Sequence, residues 1–222
     1  MQNLPVDTYK HKGQRKALVD YLAQKGIKDK KVLEAIGKVP RHFFFETALI
    51  DHAYDDKAFP IGEGQTISQP FTVASQTQLL EVKKGDKILE IGTGSGYQAC
   101  VLLELGANLF TIEYNKVLYE RTKNFLPKMG YQPKFFCGDG TKGLASFSPY
   151  NKIIVTAGGP FVPESLIGQL SIGGILVIPV GDEAKQKMLK ITRLSQTEFQ
   201  KEEHGFFSFV KLRGNEGWDG KF

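Results

Sequence analysis

The stretch Lys87-Ile-Leu-Glu-Ile-Gly-Thr-Gly-Ser-Gly-Tyr-Gln98 constrains the fold more than any other part of the chain. A short apolar run, Ile88 to Ile91, stops at three alternating glycines, Gly92, Gly94 and Gly96. An apolar helical pattern from Ala99 to Leu105 follows. This order reads as a buried parallel strand, a tight turn and a helix. Glycines in such a turn let backbone N–H groups approach a ligand at the positive end of the helix. The dinucleotide fingerprint is G-x-G-x-x-G. Here the third glycine comes one residue early and Tyr97 stands where it should be, which disfavours an NAD-dependent oxidoreductase. Asn108 to Glu113 is a second β-rich run ending in an acid. Glu113 lies about 20 residues past the turn, the offset at which a carboxylate accepts hydrogen bonds from ribose hydroxyls.

Strands and helices alternate on either side of this turn. Asn115 to Lys128 reads as a helix stopping before Gly130, and Lys134 to Cys137 as a strand ending in Gly138-Asp139-Gly140. An aspartate held there points into the crevice above the sheet, where Asp139 could accept a hydrogen bond from an adenine amino group or serve only the turn. Asn151 to Thr156 is a fourth strand, Pro163 to Leu170 a helix and Gly173 to Pro179 a fifth strand. Lys187 to Leu194 and Phe206 to Leu212 read as closing strands, with a turn at Ser195-Gln-Thr-Glu198. Alternation predicts a doubly wound α/β fold, a Rossmann-like parallel sheet. Closing strands without an intervening helix predict an antiparallel C-terminal edge.

The N-terminal region is different. Gln14 to Gln24 has helical spacing, Asp29 can cap a second helix bounded by Pro40, and Arg41 to Ile50 reads as a third short helix or turn. Together they predict a helical N-terminal appendage. Residues 51–70 have no sustained period, yet mix apolar anchors (Tyr54, Phe59, Ile61, Ile67) with small polar residues. A long ordered loop beside a helix is where binding groups usually sit. Pro70 opens the next helix, which makes Ser68 a natural N-cap; a cap and a binding role need not exclude each other.

The chain of 222 residues fits one domain with an appendage, and its 41% apolar content can bury a sizeable core. No stretch approaches the ~20 apolar residues of a membrane span. The start, Met1 to Thr8, lacks the basic and apolar regions of a signal peptide. Cys100 and Cys137 are far apart in apolar contexts and read as buried thiols. His11, His42, His52 and His204 show no ligand spacing, so no metal is expected. The net charge of +5 is uneven: residues 1–42 carry ten Lys/Arg against four Asp/Glu, a surplus of +6, and the rest carry 19 against 20. Such asymmetry can mark a nucleic-acid surface. A solvated helical face fits better, because no aromatic residues interleave with the charges of the most basic stretch.

The glycine turn after a strand ending in an acid, with Glu113 and the Gly-Asp-Gly loop, resembles the class I S-adenosylmethionine (AdoMet)-dependent methyltransferases. The preceding loop is more specific. Tyr54-x-Asp56-x-Ala-Phe-Pro-Ile-Gly-x-Gly-Gln-Thr-Ile-Ser-Gln-Pro70 resembles the signature of the protein-L-isoaspartate O-methyltransferases, as do Ile88 to Gln98, Ile153 to Ala157 and Gly173 to Gly181. The similarity runs from about Val39 to about Val210. It implies one methyltransferase domain over 1–222: a helical appendage at 1–50, an active-site loop and helix at 51–82, and an AdoMet-binding core with C-terminal strands at 83–222. It makes Ser68 the active-site serine. It assigns the cofactor side to Ile67, Gln69, Val73, Glu90, Gly92, Thr93, Gly94, Glu113, Tyr114, Asp139 and Gly140. Two departures stand out: Tyr114 where the family often has Arg, and Ser208 with Lys211 where its last strand usually has Arg and Pro.

The resemblance implies transfer of a methyl group from AdoMet, leaving S-adenosyl-L-homocysteine, to the free α-carboxylate of L-isoaspartyl residues in damaged proteins and peptides. The ester then closes to a succinimide and returns partly to aspartate. A cytoplasmic monomer acting without nucleic acid or membrane is expected. The competing readings are an RNA methyltransferase of related fold and a non-catalytic AdoMet-binding protein.

Overall fold

The computed structural model describes residues 5–220, so half of the Met1 to Thr8 start, read above as lacking signal-peptide regions, lies outside the described residues. Helix α1 (Tyr9–Gln24) starts earlier than its apolar spacing suggests, because Thr8 caps it by accepting the His11 N–H. Helix α2 (Lys30–Lys38) is capped as expected by Asp29, which accepts from the N–H groups of Lys31 and Val32. Two 3-10 turns, Arg41–Phe44 and Thr47–His52, stand where a third short helix or turn was expected.

The aperiodic stretch contains a small antiparallel hairpin, β1 (Phe59–Gly62) and β2 (Gln65–Ile67). Helix α3 (Pro70–Leu80) follows. Its N-cap is Gln69, not Ser68, and no cap side chain bonds to it locally. Pro70 has no N–H, and the next free donor, Phe71 N–H, is taken by Asp56 Oδ1 at 2.8 Å. The cap therefore comes from fifteen residues upstream, and Ser68 is not needed for it. The Asp56 carboxylate also holds the Gln69 amide at 3.0 Å and the Lys25 ammonium at 2.7 Å.

The main sheet is built from β3 (Lys87–Ile91), β4 (Asn108–Glu113), β5 (Lys134–Cys137), β6 (Tyr150–Val155), β7 (Leu170–Gly181), β8 (Gln186–Arg193) and β9 (Phe199–Phe207), interleaved with α4 (Tyr97–Glu104), α5 (Lys116–Phe125) and α6 (Glu164–Gly168). Its order is β5-β4-β3-β6-β7-β8-β9. The first five strands are parallel, and β8 and β9 add antiparallel. Leu89 sits in register with Phe110 on one side and Ile153 on the other. Alternate residues of β3 face opposite ways. Ile88 joins a core with Leu18, Leu22 and Ile36 of the appendage, whereas Leu89 and Ile91 join Phe110 and Leu176 on the other face. Both faces are covered, as a parallel sheet requires.

Three sequence expectations are corrected. The last strand is Phe199–Phe207 rather than Phe206–Leu212; beyond Phe207 only a bridge from Lys211 to Gly158 remains. As an edge strand, β9 is largely exposed on both faces, so its sequence carries no apolar alternation. Cys137 is exposed, and only Cys100 is buried. The histidines do meet in space: ligand atoms of Asp7, His11 and His42 lie within 4.8 Å of one another. The two imidazoles are stacked with centroids 3.8 Å apart, and Asp7 is paired with Arg15 at 2.9 Å. Ligands on one tetrahedral ion splay apart instead. This cluster is a stacked, charge-paired junction.

One buried side chain ties the appendage to the hairpin. Arg41 is fully buried; its Nε donates to Ala53 O at 3.0 Å and its Nη2 to Ser68 O at 2.9 Å. Its guanidinium lies 4.6 Å from the Tyr97 ring centroid. Burial lowers its pKa to about 10, which still leaves it charged at neutral pH. Replacing it by an apolar residue would orphan buried carbonyls at about 1–3 kcal/mol each. Arg41→Met should therefore reduce the unfolding free energy in urea by about 3 kcal/mol. A loss below about 1 kcal/mol would mean that these carbonyls find other donors.

Candidate active site

The strand order reverses between β3 and β6, and ligands bind in such sheets at the carboxyl ends of the strands flanking that point. A cavity of about 340 Å³ lies there, within the range of small-molecule sites. The glycine turn forms its floor. Gly92 has φ +95°, and a Cβ there would come within 2.5 Å of Thr156 Oγ1. That hydroxyl donates to Gly92 O at 2.6 Å, joining the ends of β3 and β6. Thr122 donates to Gly94 O at 2.6 Å. Gly96 is closed in by Thr122 and Leu126, so the turn is fixed from several sides.

Glu113 stands at the end of β4 and is 6% exposed. Its Oε2 accepts the Gly94 N–H and its Oε1 the Asn115 N–H, both at 2.8 Å. Each carboxylate oxygen has a second lone pair, so Glu113 can still accept hydrogen bonds from vicinal hydroxyls. Among the described residues, neither the Thr93 N–H nor the Ser95 N–H has a hydrogen-bond partner, and both residues line the cavity. Gly140 lines it too, where a Cβ would clash with Ile91 at 2.5 Å. Free N–H donors, a diol-accepting carboxylate and a glycine-lined wall fit a nucleoside carrying an amino-acid carboxylate. Nothing in this donor set conflicts with AdoMet.

Of the residues expected from the sequence, Ser68, Val73, Gly92, Thr93, Gly94, Glu113, Tyr114 and Gly140 line this cavity. Four do not. Ile67 is buried in the core at 2% exposure. The Gln69 amide is spent on Asp56. Glu90 is fully buried below the turn, where Thr111 Oγ1 donates to its Oε2 at 2.6 Å. The Asp139 carboxylate is taken up within the protein: Oδ1 accepts from Thr141 N and Oγ1, and Oδ2 from Asn215 N at 2.9 Å.

The C-terminal segment that occupies Asp139 also closes one wall, residues Val210 to Arg213. The Arg213 guanidinium lies 5.4 Å from the centroid of the half-exposed Tyr114 ring at the rim. Sequence reasoning missed Thr156 and Ser95. Their signal was positional, since both follow strands whose ends meet at the sheet's reversal.

Ser68 lies where this cavity meets a second one of about 950 Å³. Both share Thr66, Ser68, Thr156 and Val210 in their walls. Arg41 fixes the Ser68 carbonyl, while no group among the described residues hydrogen-bonds its hydroxyl. A free hydroxyl on a held backbone can orient an incoming anion at the junction.

Residues 13–217 match the family model described as protein-L-isoaspartate(D-aspartate) O-methyltransferase. The protein-L-isoaspartate O-methyltransferase of Cytophaga hutchinsonii is 59% identical over 215 residues, covering 97% of either chain. A solved protein-L-isoaspartate O-methyltransferase superposes with a TM-score of 0.82 at 28% identity, over 91% of this chain and 67% of that one. A Plasmodium falciparum protein assigned to the same enzymes, solved in complex with S-adenosyl-L-homocysteine, shares the fold with a TM-score of 0.76 at 24% identity. That match covers 90% of this chain and 98% of the other.

Beneath the turn, Thr93, Thr111 and Glu90 form a buried hydrogen-bonded chain, with Thr93 Oγ1 2.6 Å from Thr111 Oγ1. Burial pushes the Glu90 carboxyl up to about 8, and the Glu113 charge adds to the shift. The folded state therefore holds this proton more tightly than the unfolded chain. Its stabilising effect is complete below the ordinary value of 4.5 and is lost as pH rises towards 8. Glu90→Gln should remove this dependence. By calorimetry, the variant's melting temperature should gain on the parent's between pH 5 and pH 8. A constant difference across that interval would place the Glu90 proton elsewhere.

Proposed function

The chain belongs to the protein-L-isoaspartate(D-aspartate) O-methyltransferase family, and from that premise we propose how its own residues carry out the reaction. It is an AdoMet-dependent protein repair methyltransferase acting on the free α-carboxylate of L-isoaspartyl residues. The observation that carries the residue assignment is the position of Ser68, unbonded at its hydroxyl, between a cofactor-sized cavity and a larger groove.

AdoMet, when bound, supplies an electrophilic methyl group on a sulfonium. Glu113 would accept from the ribose hydroxyls, and the Thr93 and Ser95 N–H groups would bind the cofactor's carboxylate. Val73 and Gly140 would pack against it, with Tyr114 at the rim. The Ser68 hydroxyl would donate to the substrate carboxylate and hold one oxygen towards the methyl group. A carboxylate with a pKa of ~4 is ionised at neutral pH, so no side chain has to remove a proton. The protein's contribution is alignment and exclusion of water, which can reach roughly 7–11 kcal/mol. The ester then closes to a succinimide with loss of methanol and reopens partly to aspartate.

The appendage, the Ser68 loop and the sheet act in this reading as one domain, supported by the core they share. The chain works as a cytoplasmic monomer without nucleic acid or membrane. No helix among the described residues is long and apolar enough to cross a membrane. Six of the ten N-terminal cations that prompted the RNA alternative are engaged within the protein. Lys10, Arg15, Lys16, Lys25 and Lys38 pair with carboxylates, and Arg41 is buried.

The test is methyl transfer from labelled AdoMet to a short isoaspartyl peptide beside its normal aspartyl twin. Base-labile label in the isoaspartyl peptide alone is expected. Label in neither, with AdoMet still bound, would favour a non-catalytic protein; label in RNA instead would favour the rival methyltransferase.

A further inference from the structure

The larger cavity beyond Ser68 is lined by the α1–α2 turn, by α3 and by residues 204–210. Its walls include Lys25, Lys185 and His204 and no carboxylate side chain. The two lysines differ. Lys25 is neutralised by Asp56 at 2.7 Å and lies 4.4 Å from the Phe71 ring centroid. Lys185 is exposed and has no acidic partner among the described residues. Its ammonium sits 4.2 Å from the ring centroid of Phe206, itself 57% exposed.

Asp182, Glu183 and Glu203, on the two segments that carry Lys185 and His204, have other partners and none pairs with Lys185. Asp182 Oδ1 accepts the N–H groups of Ala184 and Lys185, both at 2.8 Å. Glu183 pairs with Lys211 at 2.7 Å, and Glu203 with Lys187 at 2.6 Å. The loop carrying Lys185 is also fixed against the groove. Ser208 Oγ donates to Ala184 O at 3.0 Å, and Phe209 N–H to Gln186 Oε1 at 2.8 Å. An aromatic face positions an ammonium without cancelling its charge. A carboxylate arriving in the groove can therefore reach Lys185 without breaking an ion pair, whereas a lysine arriving there meets like charge.

We propose that Lys185 makes this groove select isoaspartyl sites with acidic flanking residues. The proposal rests on the reading of the groove as the substrate side of Ser68. A solvent-exposed pair of this kind is worth a few-fold in binding, and salt weakens it.

The test uses three isoaspartyl peptides that differ only within three residues of the isoaspartate, carrying Glu, Gln or Lys. With labelled AdoMet and the full chain, kcat/KM should fall in that order. The Glu peptide should exceed the Lys peptide by about fivefold at low salt. Lys185→Glu should bring that ratio to one or below. Lys16→Glu makes the same change in net charge at an exposed position of α1 outside the cavity wall and should leave the ratio in place. Equal rates for the three peptides, or equal loss of the ratio in both variants, would overturn the proposal while leaving the methyltransferase reading intact. No label in any of the three would overturn that reading and the proposal with it.

Discussion

A buried guanidinium holds the candidate serine in place. Arg41 leaves the N-terminal appendage and reaches the carbonyls of Ala53 and Ser68, with Tyr97 at the start of α4 beneath it. Burying such a charge is costly; acceptors for its Nε and Nη2 offset part of that cost, while its Nη1 has none among the described residues. Here those acceptors are backbone groups of a segment with little regular structure of its own. The same charge that pins the segment therefore sets the position of Ser68. Asp56 completes the arrangement from the other side: it caps α3, grips Gln69 and pairs with Lys25. The appendage is in this sense part of the site.

The other half of the site is held by hydrogen bonds rather than by a buried charge. Gly92 can take its left-handed conformation against Thr156 because it lacks a Cβ. Glu113 accepts two backbone N–H groups and so shapes the turn it shares with the cofactor cavity. Its second set of lone pairs is what makes one carboxylate able to do both. The turn is thus built before any ligand arrives, and positioning of this kind is what a reaction without proton transfer requires.

Much of this was legible in the chain. The parallel strands read clearly because both their faces are buried, and the glycine turn because its spacing is unusual. The hairpin Phe59–Ile67 was hidden by strands of four and three residues around a register shift. The edge strand Phe199–Phe207 was hidden because neither face is buried. The fate of Asp139 could not be read locally, since its partner, Asn215, is 76 residues away. Asp56 took over the expected capping role of Ser68 for the same reason: a distant carboxylate outcompeted the local hydroxyl. Glu90 and Ile67 lie next to cavity-lining residues in sequence, but strand alternation turns their side chains into the core.

The central claim is that Ser68 acts on the substrate and not on the cofactor or the fold. The most direct measurement is Ser68→Ala, read in two ways: turnover on an isoaspartyl peptide, and affinity for S-adenosyl-L-homocysteine by calorimetry. A kcat reduced by about tenfold or more, with cofactor affinity within about twofold of the parent, is the expected result, matching the loss of one charge-assisted hydrogen bond. Equal losses in turnover and affinity, or unchanged turnover, would contradict the assignment.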